Sequence, residues 1–182
     1  MLVSISGINL IKRFEGLRLD AYKCPAGVWT IGYGHTNNIG KPNVEQGMSI
    51  NKSQANLILL RDIMKSEDEV EKILSKYDSD ISQGLFDVCV SFQFNLGALH
   101  EATWIKLFFN KDIGTEAVVD WLLKWSMVKD GNGKKVRSNG LVRRRNAEGE
   151  ILRIARHDYL KRNRSSLFIR LVKGILGFLR RK

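Results

Sequence analysis

The chain has 182 residues, 43% of them apolar and 9% aromatic, enough to bury the core of one domain or of two lobes and too apolar for a disordered chain. Its formal charge of +11 is that of a nucleic-acid binder at first sight, but residues 161–182 hold eight Lys and Arg and no Asp or Glu. Taking these from the 30 basic residues leaves 22 against 19 acidic ones over residues 1–160, a net of +3, so the basicity belongs mainly to the tail and argues against a nucleic-acid partner.

Cys24 and Cys89 form neither a CxxC pair nor a zinc-type spacing, which excludes a dense disulfide framework and leads us to expect synthesis in a reducing cytoplasm. The opening MLVSISGINLIKRFEG shows no basic leader and no continuous apolar stretch, so no signal peptide is expected. Leu10, Ile11 and Phe14 fit one face of a short helix that begins near Ser4 or Ser6 and stops at Gly16. Residues 17–40 alternate apolar and β-branched positions around Pro25-Ala26-Gly27, Gly32, Gly34 and Gly40, the pattern of a small antiparallel sheet. From Asn51 to Tyr77 the helical period returns through Leu57, Leu60, Ile63, Met64, Val70, Ile73 and Leu74, as one long amphipathic helix or a broken pair. Further helices are predicted over 81–96, 101–110, 114–127 and 140–160, with breaks at Gly97, at Lys111-Asp112 and across an Asp130–Gly140 loop. The predicted class is α+β: a small N-terminal sheet lobe, a long connecting helix and a helical C-terminal lobe. A cleft between such lobes suits a polymeric substrate.

Glu15 falls in the last turn of the first helix, where the negative end of the helix dipole and the apolar neighbours Leu10, Ile11 and Phe14 both push a carboxyl pKa upward. A raised pKa is what a general acid protonating a glycosidic oxygen requires. A solvent-facing Glu15 paired with Arg13 or Arg18 is the plainer alternative. Cys24 and Thr30 follow at fixed spacing, Glu15-x8-Cys24-x5-Thr30, inside FEGLRLDAYKCPAGVWTIGYGHT. That run resembles the phage-type lysozymes, the endolysin family of muramidases whose catalytic motif is Glu, then Asp or Cys, then Thr. Ser91-Phe92-Gln93-Phe94-Asn95-Leu96-Gly97 is similar to a family segment at a helix end, and Gly140-Leu141 with Arg144, Arg145 and Glu148 to its GLxxRRxxE block. The resemblance covers residues 5–160 in family order, nearly all but the tail.

The resemblance implies a lysozyme-like fold and hydrolysis of the β-1,4 bond between N-acetylmuramic acid and N-acetylglucosamine in bacterial peptidoglycan. Glu15 would donate the proton and Thr30 would help place the attacking water. Cys24 stands where many members have Asp. A thiol of ordinary pKa, about 8.5, is mostly neutral at pH 7, so Cys24 acts as base or nucleophile only if partly ionised; otherwise it is a small half-buried residue before Pro25. Phe94 and Asn95 are candidate sugar contacts, with a core role open for Phe94, and Thr103 matches a substrate-contacting position loosely. The same likeness implies a monomer acting in the periplasm after release from the host cytoplasm, with no cofactor. His35 reads as a structural hydrogen-bonding residue, and His35, His100 and His157 make no metal spacing. Asp130-Gly131-Asn132-Gly133 lacks the rest of a calcium-ligand series and reads as a turn. Arg144 or Arg145 either pairs with Glu15 across the cleft or lies solvated on a helix face. The functional alternative is a catalytically impaired cell-wall- or membrane-binding protein in which Cys24 marks decay.

We therefore divide the chain into a catalytic domain at 1–160 and a basic amphipathic helix at 161–182. In the tail, Leu167, Phe168, Ile169, Leu171, Val172, Ile175, Leu176, Phe178 and Leu179 fill one arc of a helix capped by Ser165 or Ser166, and Arg170, Lys173, Arg180 and Arg181 the other. Too short and polar to span a bilayer, residues 165–182 are expected to lie on an anionic membrane or on lipopolysaccharide, or else to pack on the enzyme's own core.

Overall fold

The computed structural model describes residues 1–77 and 81–179, with side chains as far as residue 163. The class is α+β: among the described residues, a first helix and a three-stranded antiparallel sheet precede five further α-helices, with a two-stranded hairpin before the last. Two compact units form, residues 1–78 with 86–101, and residues 79–85 with 102–182.

In the first unit, α1 (Ile5–Glu15) starts on Ser4, whose Oγ accepts the Gly7 amide at 3.1 Å, and ends at Gly16 with φ 70°. The sheet runs β1 (Arg18–Lys23), β2 (Trp29–Gly32) and β3 (His35–Thr36) in sequence order, with Thr30 opposite Tyr22 on one side and Thr36 on the other. The 23-residue α2 (Lys52–Leu74) is unbroken, and its start is a capping box between Asn51 and Gln54. Its buried face is Ala55, Ile58, Leu59, Ile63, Val70 and Leu74, interleaved with buried Asp62, Ser66 and Glu67. Leu57, Leu60 and Met64, which the apolar spacing had placed on the core face, are instead 64%, 42% and 59% exposed. The cause is the polar part of the buried stripe. Glu67 accepts the Val3 amide at 2.6 Å and Asp62 meets His35, so these polar residues sit inside while an apolar set in another phase sits outside. Helix α3 (Gln83–Leu96) carries Asp87, which accepts from the Ser4 amide at 2.9 Å and the Ser4 hydroxyl at 2.5 Å. A β-carbon on Gly7 would lie 2.8 Å from Asp87 Cγ, so the glycine permits the close approach of α1 to α3.

In the second unit, α4 (Thr103–Phe109) and α5 (Thr115–Leu123) bury Trp104, Ile105, Phe108, Val118, Val119 and Leu122. Helix α5 packs on α6 (Asn139–Leu179), where Val119 Cγ1 lies 3.2 Å from where a Gly149 β-carbon would sit. Residues 126–138, predicted as helix end and loop, form the hairpin β4 (Met127–Lys129) and β5 (Lys135–Arg137) instead. Asp130 Oδ1 accepts the amides of Asn132 and Lys134, both at 2.9 Å, which engages the carboxylate in the turn itself. Helix α6 runs past 160 and past Ser165 and Ser166 without a break, so neither serine is an N-cap; the tail side chains lie outside the described residues. No helix among the described residues is long and apolar enough to cross a membrane.

Candidate active site

Glu15 is the last residue of α1 and half-buried. Its Oε2 lies 3.7 Å from where a β-carbon of Gly34 would stand, which sets the carboxyl beside the β2–β3 turn; Gly34 has φ 88°, a conformation that favours glycine. A pocket of about 230 Å³ opens there. The turn and loop supply Tyr33, Gly34 and Ile39, α2 supplies Asp62, Lys65 and Ser66, and α3 supplies Phe94 and Asn95. The acid and two of the expected sugar contacts thus share one cavity. Phe94 is half-buried at the pocket while Phe92, two residues earlier, is fully buried in the core.

Cys24 and Thr30 lie outside that lining and form a pair of their own. The Cys24–Val28 turn is closed by Cys24 N–H to Val28 O at 3.0 Å and Gly27 N–H to Cys24 O at 2.8 Å. Hydrogen bonds to the sulfur from the Val28 and Ala26 backbone, joined by the Thr30 hydroxyl, hold the thiol below the ordinary thiol range against the opposing effect of burial. Thr30 is buried, and its hydroxyl also stands 3.0 Å from Val28 O, so one proton serves either the carbonyl or the sulfur. Thr103 is the first residue of α4 in the second unit and does not line the pocket.

His35 is buried with both ring nitrogens engaged, Nε2 at 2.9 Å from Pro42 O and Nδ1 at 2.8 Å from Asp62 Oδ2. A carbonyl only accepts, so Nε2 carries a proton, and Nδ1 shares one with Asp62. Burial pushes the Asp62 carboxyl above the usual carboxylate range, opposed by His35, Lys65 and Arg61. The pair also fixes the 37–44 loop, which Asn37 cross-ties by donating to Val44 O at 3.1 Å and accepting the Val44 amide at 2.5 Å. Asp62, Lys65 and Ser66 escaped sequence reasoning. The available signal was the i, i+4 spacing of Asp62 and Ser66 on the same face as Ile58 and Val70; Lys65 gave none.

Arg144 and Arg145 are not solvated helix-face residues: both are buried on Glu148, with Arg144 Nε at 3.3 Å and Arg145 Nη1 at 2.9 Å from its carboxylate. Among the described residues no group of three His, Cys, Asp or Glu side chains is placed to hold a metal.

The family described as phage lysozyme matches residues 12–148 of the chain. An endolysin of Acyrthosiphon pisum secondary endosymbiont phage 1 is 37% identical over 158 residues, covering 85% of this chain and all of the relative. Among solved structures, the endolysin from Escherichia coli O157:H7 phage FAHEc1 superposes with a TM-score of 0.73 at 37% identity, covering 84% of this chain and 93% of the other. The muramidase domain of SpmX from Asticaccaulis excentricus does so with a TM-score of 0.69 at 28% identity, covering 82% and 96%.

Proposed function

The chain belongs to the phage lysozyme family, its endolysin relatives make it a cell-wall hydrolase, and from that premise we propose that it is a muramidase cutting the β-1,4 bond between N-acetylmuramic acid and N-acetylglucosamine. The observation that carries the reading is the placing of Glu15 in one pocket with Phe94 and Asn95. A sugar seated there presents its glycosidic oxygen to the carboxyl, which gives up its proton as the bond breaks. Water then attacks the anomeric carbon and loses a proton to a base. Cys24 takes that part, because the hydrogen bonds that lower its thiol pKa favour the thiolate, and Thr30 orients the water or the sulfur with its one hydroxyl proton. Thr103 remains a candidate sugar contact.

The test is release of new reducing ends from purified peptidoglycan, with mass spectrometry to identify the sugar at each end. Glu15→Gln is expected to keep the fold and lose turnover by a factor of about a thousand or more. Activity within a few-fold of wild type overturns the assignment, and a wild-type chain that binds cell wall without releasing reducing ends favours the catalytically impaired alternative.

We further propose that residues 165–182 hold the enzyme on anionic membrane or lipopolysaccharide after its release to the periplasm, and that the monomer takes no nucleic acid. The alternation of apolar and basic residues in the tail sequence supports this, together with a helical backbone as far as Leu179. A chain ending at Arg164 is expected to hydrolyse purified peptidoglycan normally and to lose binding to anionic vesicles. Vesicle binding that survives the truncation, or truncation that unfolds the enzyme, sinks the membrane role.

A further inference from the structure

Lys65 is an exposed lysine on α2, yet its ammonium is not free to swing. It donates to Ile39 O, and Gly40, with φ 144°, leaves the space it occupies: a β-carbon on Gly40 would stand 3.1 Å from Lys65 Nζ. The carbonyl it rests against belongs to a loop held at three other points. Ile39 N–H donates to Thr36 O at 3.0 Å, Arg61 donates to Lys41 O at 3.2 Å, and His35 donates to Pro42 O. A lysine normally loses much side-chain entropy when it is fixed by a ligand. Here the loop has already fixed it.

An ammonium has three N–H donors, and Ile39 engages one. Lys65 makes no ion pair among the described residues. Asp62, one turn earlier, is bonded to His35 and feels Lys65 only through its field. The pocket that Lys65 borders therefore presents a positioned cation, in no direct ion pair among the described residues, to whatever enters beside Glu15. A neutral sugar polymer has no use for such a group. Peptidoglycan is not neutral: every muramyl residue carries a lactyl arm that ends either in a free carboxylate or in a peptide with carboxylates of its own.

We propose that Lys65 is a carboxylate-binding, specificity-determining residue, reading the acidic branch of the muramyl sugar as the glycan enters the Glu15 pocket. The inference rests on the muramidase reading for the identity of the glycan. It adds a charge-selective contact that favours acidic cell-wall strands over neutral polymers of N-acetylglucosamine.

The test measures binding of the full chain carrying Glu15→Gln, so that no strand is cut, to three soluble glycan preparations by calorimetry. The first bears stem peptides, the second has been stripped by an amidase to free the lactyl carboxylate, and the third has every carboxyl converted to a neutral methylamide. Adding Lys65→Met is expected to weaken binding about fivefold to one or both acidic preparations and to leave the neutral one unchanged; Lys65→Arg should recover most of the loss. Loss on the first alone identifies the stem peptide as the ligand, and loss on the second alone identifies the lactyl group. Unchanged affinity for both acidic preparations overturns the proposal. So does an equal loss on the neutral strands, which marks Lys65 as a support for the loop, and so does failure to bind any of the three. Reducing-end release by the chain with Glu15 intact is scored separately, so failure of the muramidase reading leaves a carboxylate-dependent affinity visible in its own right.

Discussion

Both units bury charge, but they settle it on different backbone atoms. In the first unit the buried groups are carboxylates, and the backbone supplies donors: Asp87 takes the Ser4 amide and Glu67 the Val3 amide, while Asp62 takes His35. In the second they include guanidiniums, of which Arg144 and Arg145 share the buried carboxylate of Glu148. Arg156 has no carboxylate partner among the described residues and donates instead to the carbonyls of Phe108, Asn110 at 2.5 Å and Ile113 at 2.9 Å, capping the end of α4. Asp87, Glu67 and Arg156 are physically alike in that each meets backbone groups, donors for the carboxylates and acceptors for the guanidinium. Their consequences differ. Asp87 fixes the start of the helix that ends in Glu15, and the helix bearing Asp87 also bears Phe94 and Asn95. Asp62 helps fix the loop that forms part of the pocket wall. Polar burial in the first unit therefore sets site geometry, and polar burial in the second sets stability.

The sharpest way to break this comparison is Arg156→Ala. It takes the guanidinium donor from the carbonyls of Phe108 and Ile113, while Asn110 O keeps the Ile113 amide, and it opens a void among Phe108 and Tyr159; the expected cost is about 4 kcal/mol in denaturant unfolding. Activity per folded molecule should stay within twofold of wild type, and a larger loss would tie the second unit's charges to catalysis. Asp87→Ala should cost somewhat less, about 3 kcal/mol, because it strands two Ser4 donors. It should also lower kcat about tenfold at a temperature where the protein is still folded, through misplacement of Glu15. Loss of stability with unchanged kcat would refute the link between clamp and site.

Cys24→Ala acts at the surface of the first unit, where little is buried. Its expected signature is therefore the reverse: about a hundredfold loss of turnover with the melting midpoint within a degree or two, and recovery in Cys24→Asp. An active Ala variant assigns Cys24 a packing role. The smallest effect belongs to Glu116 on α5, whose carboxyl the Arg153 guanidinium at 2.9 Å holds below the usual range. Such a group adds stability above the unfolded carboxylate pKa of about 4.3 and loses it as pH falls through the lower folded value. Glu116→Gln should lower the melting midpoint slightly at pH 7 and not at all near pH 2. A difference that persists in acid would point away from the ion pair. Exposure and salt keep this effect small.

How much of this was legible in the sequence follows from the range of the interactions. Caps and turns are local, so Ser4, Gly16 and Asn51 mark helix ends, and the glycines of residues 27–34 mark hairpin turns, before any partner is known. The Glu15–Cys24–Thr30 spacing is likewise local, and it singled out Glu15, which lines the pocket. The phase of α2 was misread because Asp62 and Glu67 are satisfied on its buried face by His35 and Val3, 27 and 64 residues away. The same reason hid the burial of Arg156, whose carbonyl partners lie 43 to 48 residues away. Residues 127–137 misled differently: strands of three residues are too short for an alternation to register.

The clamp on Ser4 also dictates an order of events during synthesis. Helix α1 leaves the ribosome before α3, so the carboxylate that receives Ser4 arrives 83 residues later, and closing a loop of that length costs roughly 4 kcal/mol of chain entropy. Until α3 emerges, the nascent chain holds Glu15 on a helix with no fixed anchor and without the two α3 residues that share its pocket. Glu15 and the two α3 residues come together in the same closure, so the chain cannot acquire an assembled pocket one piece at a time.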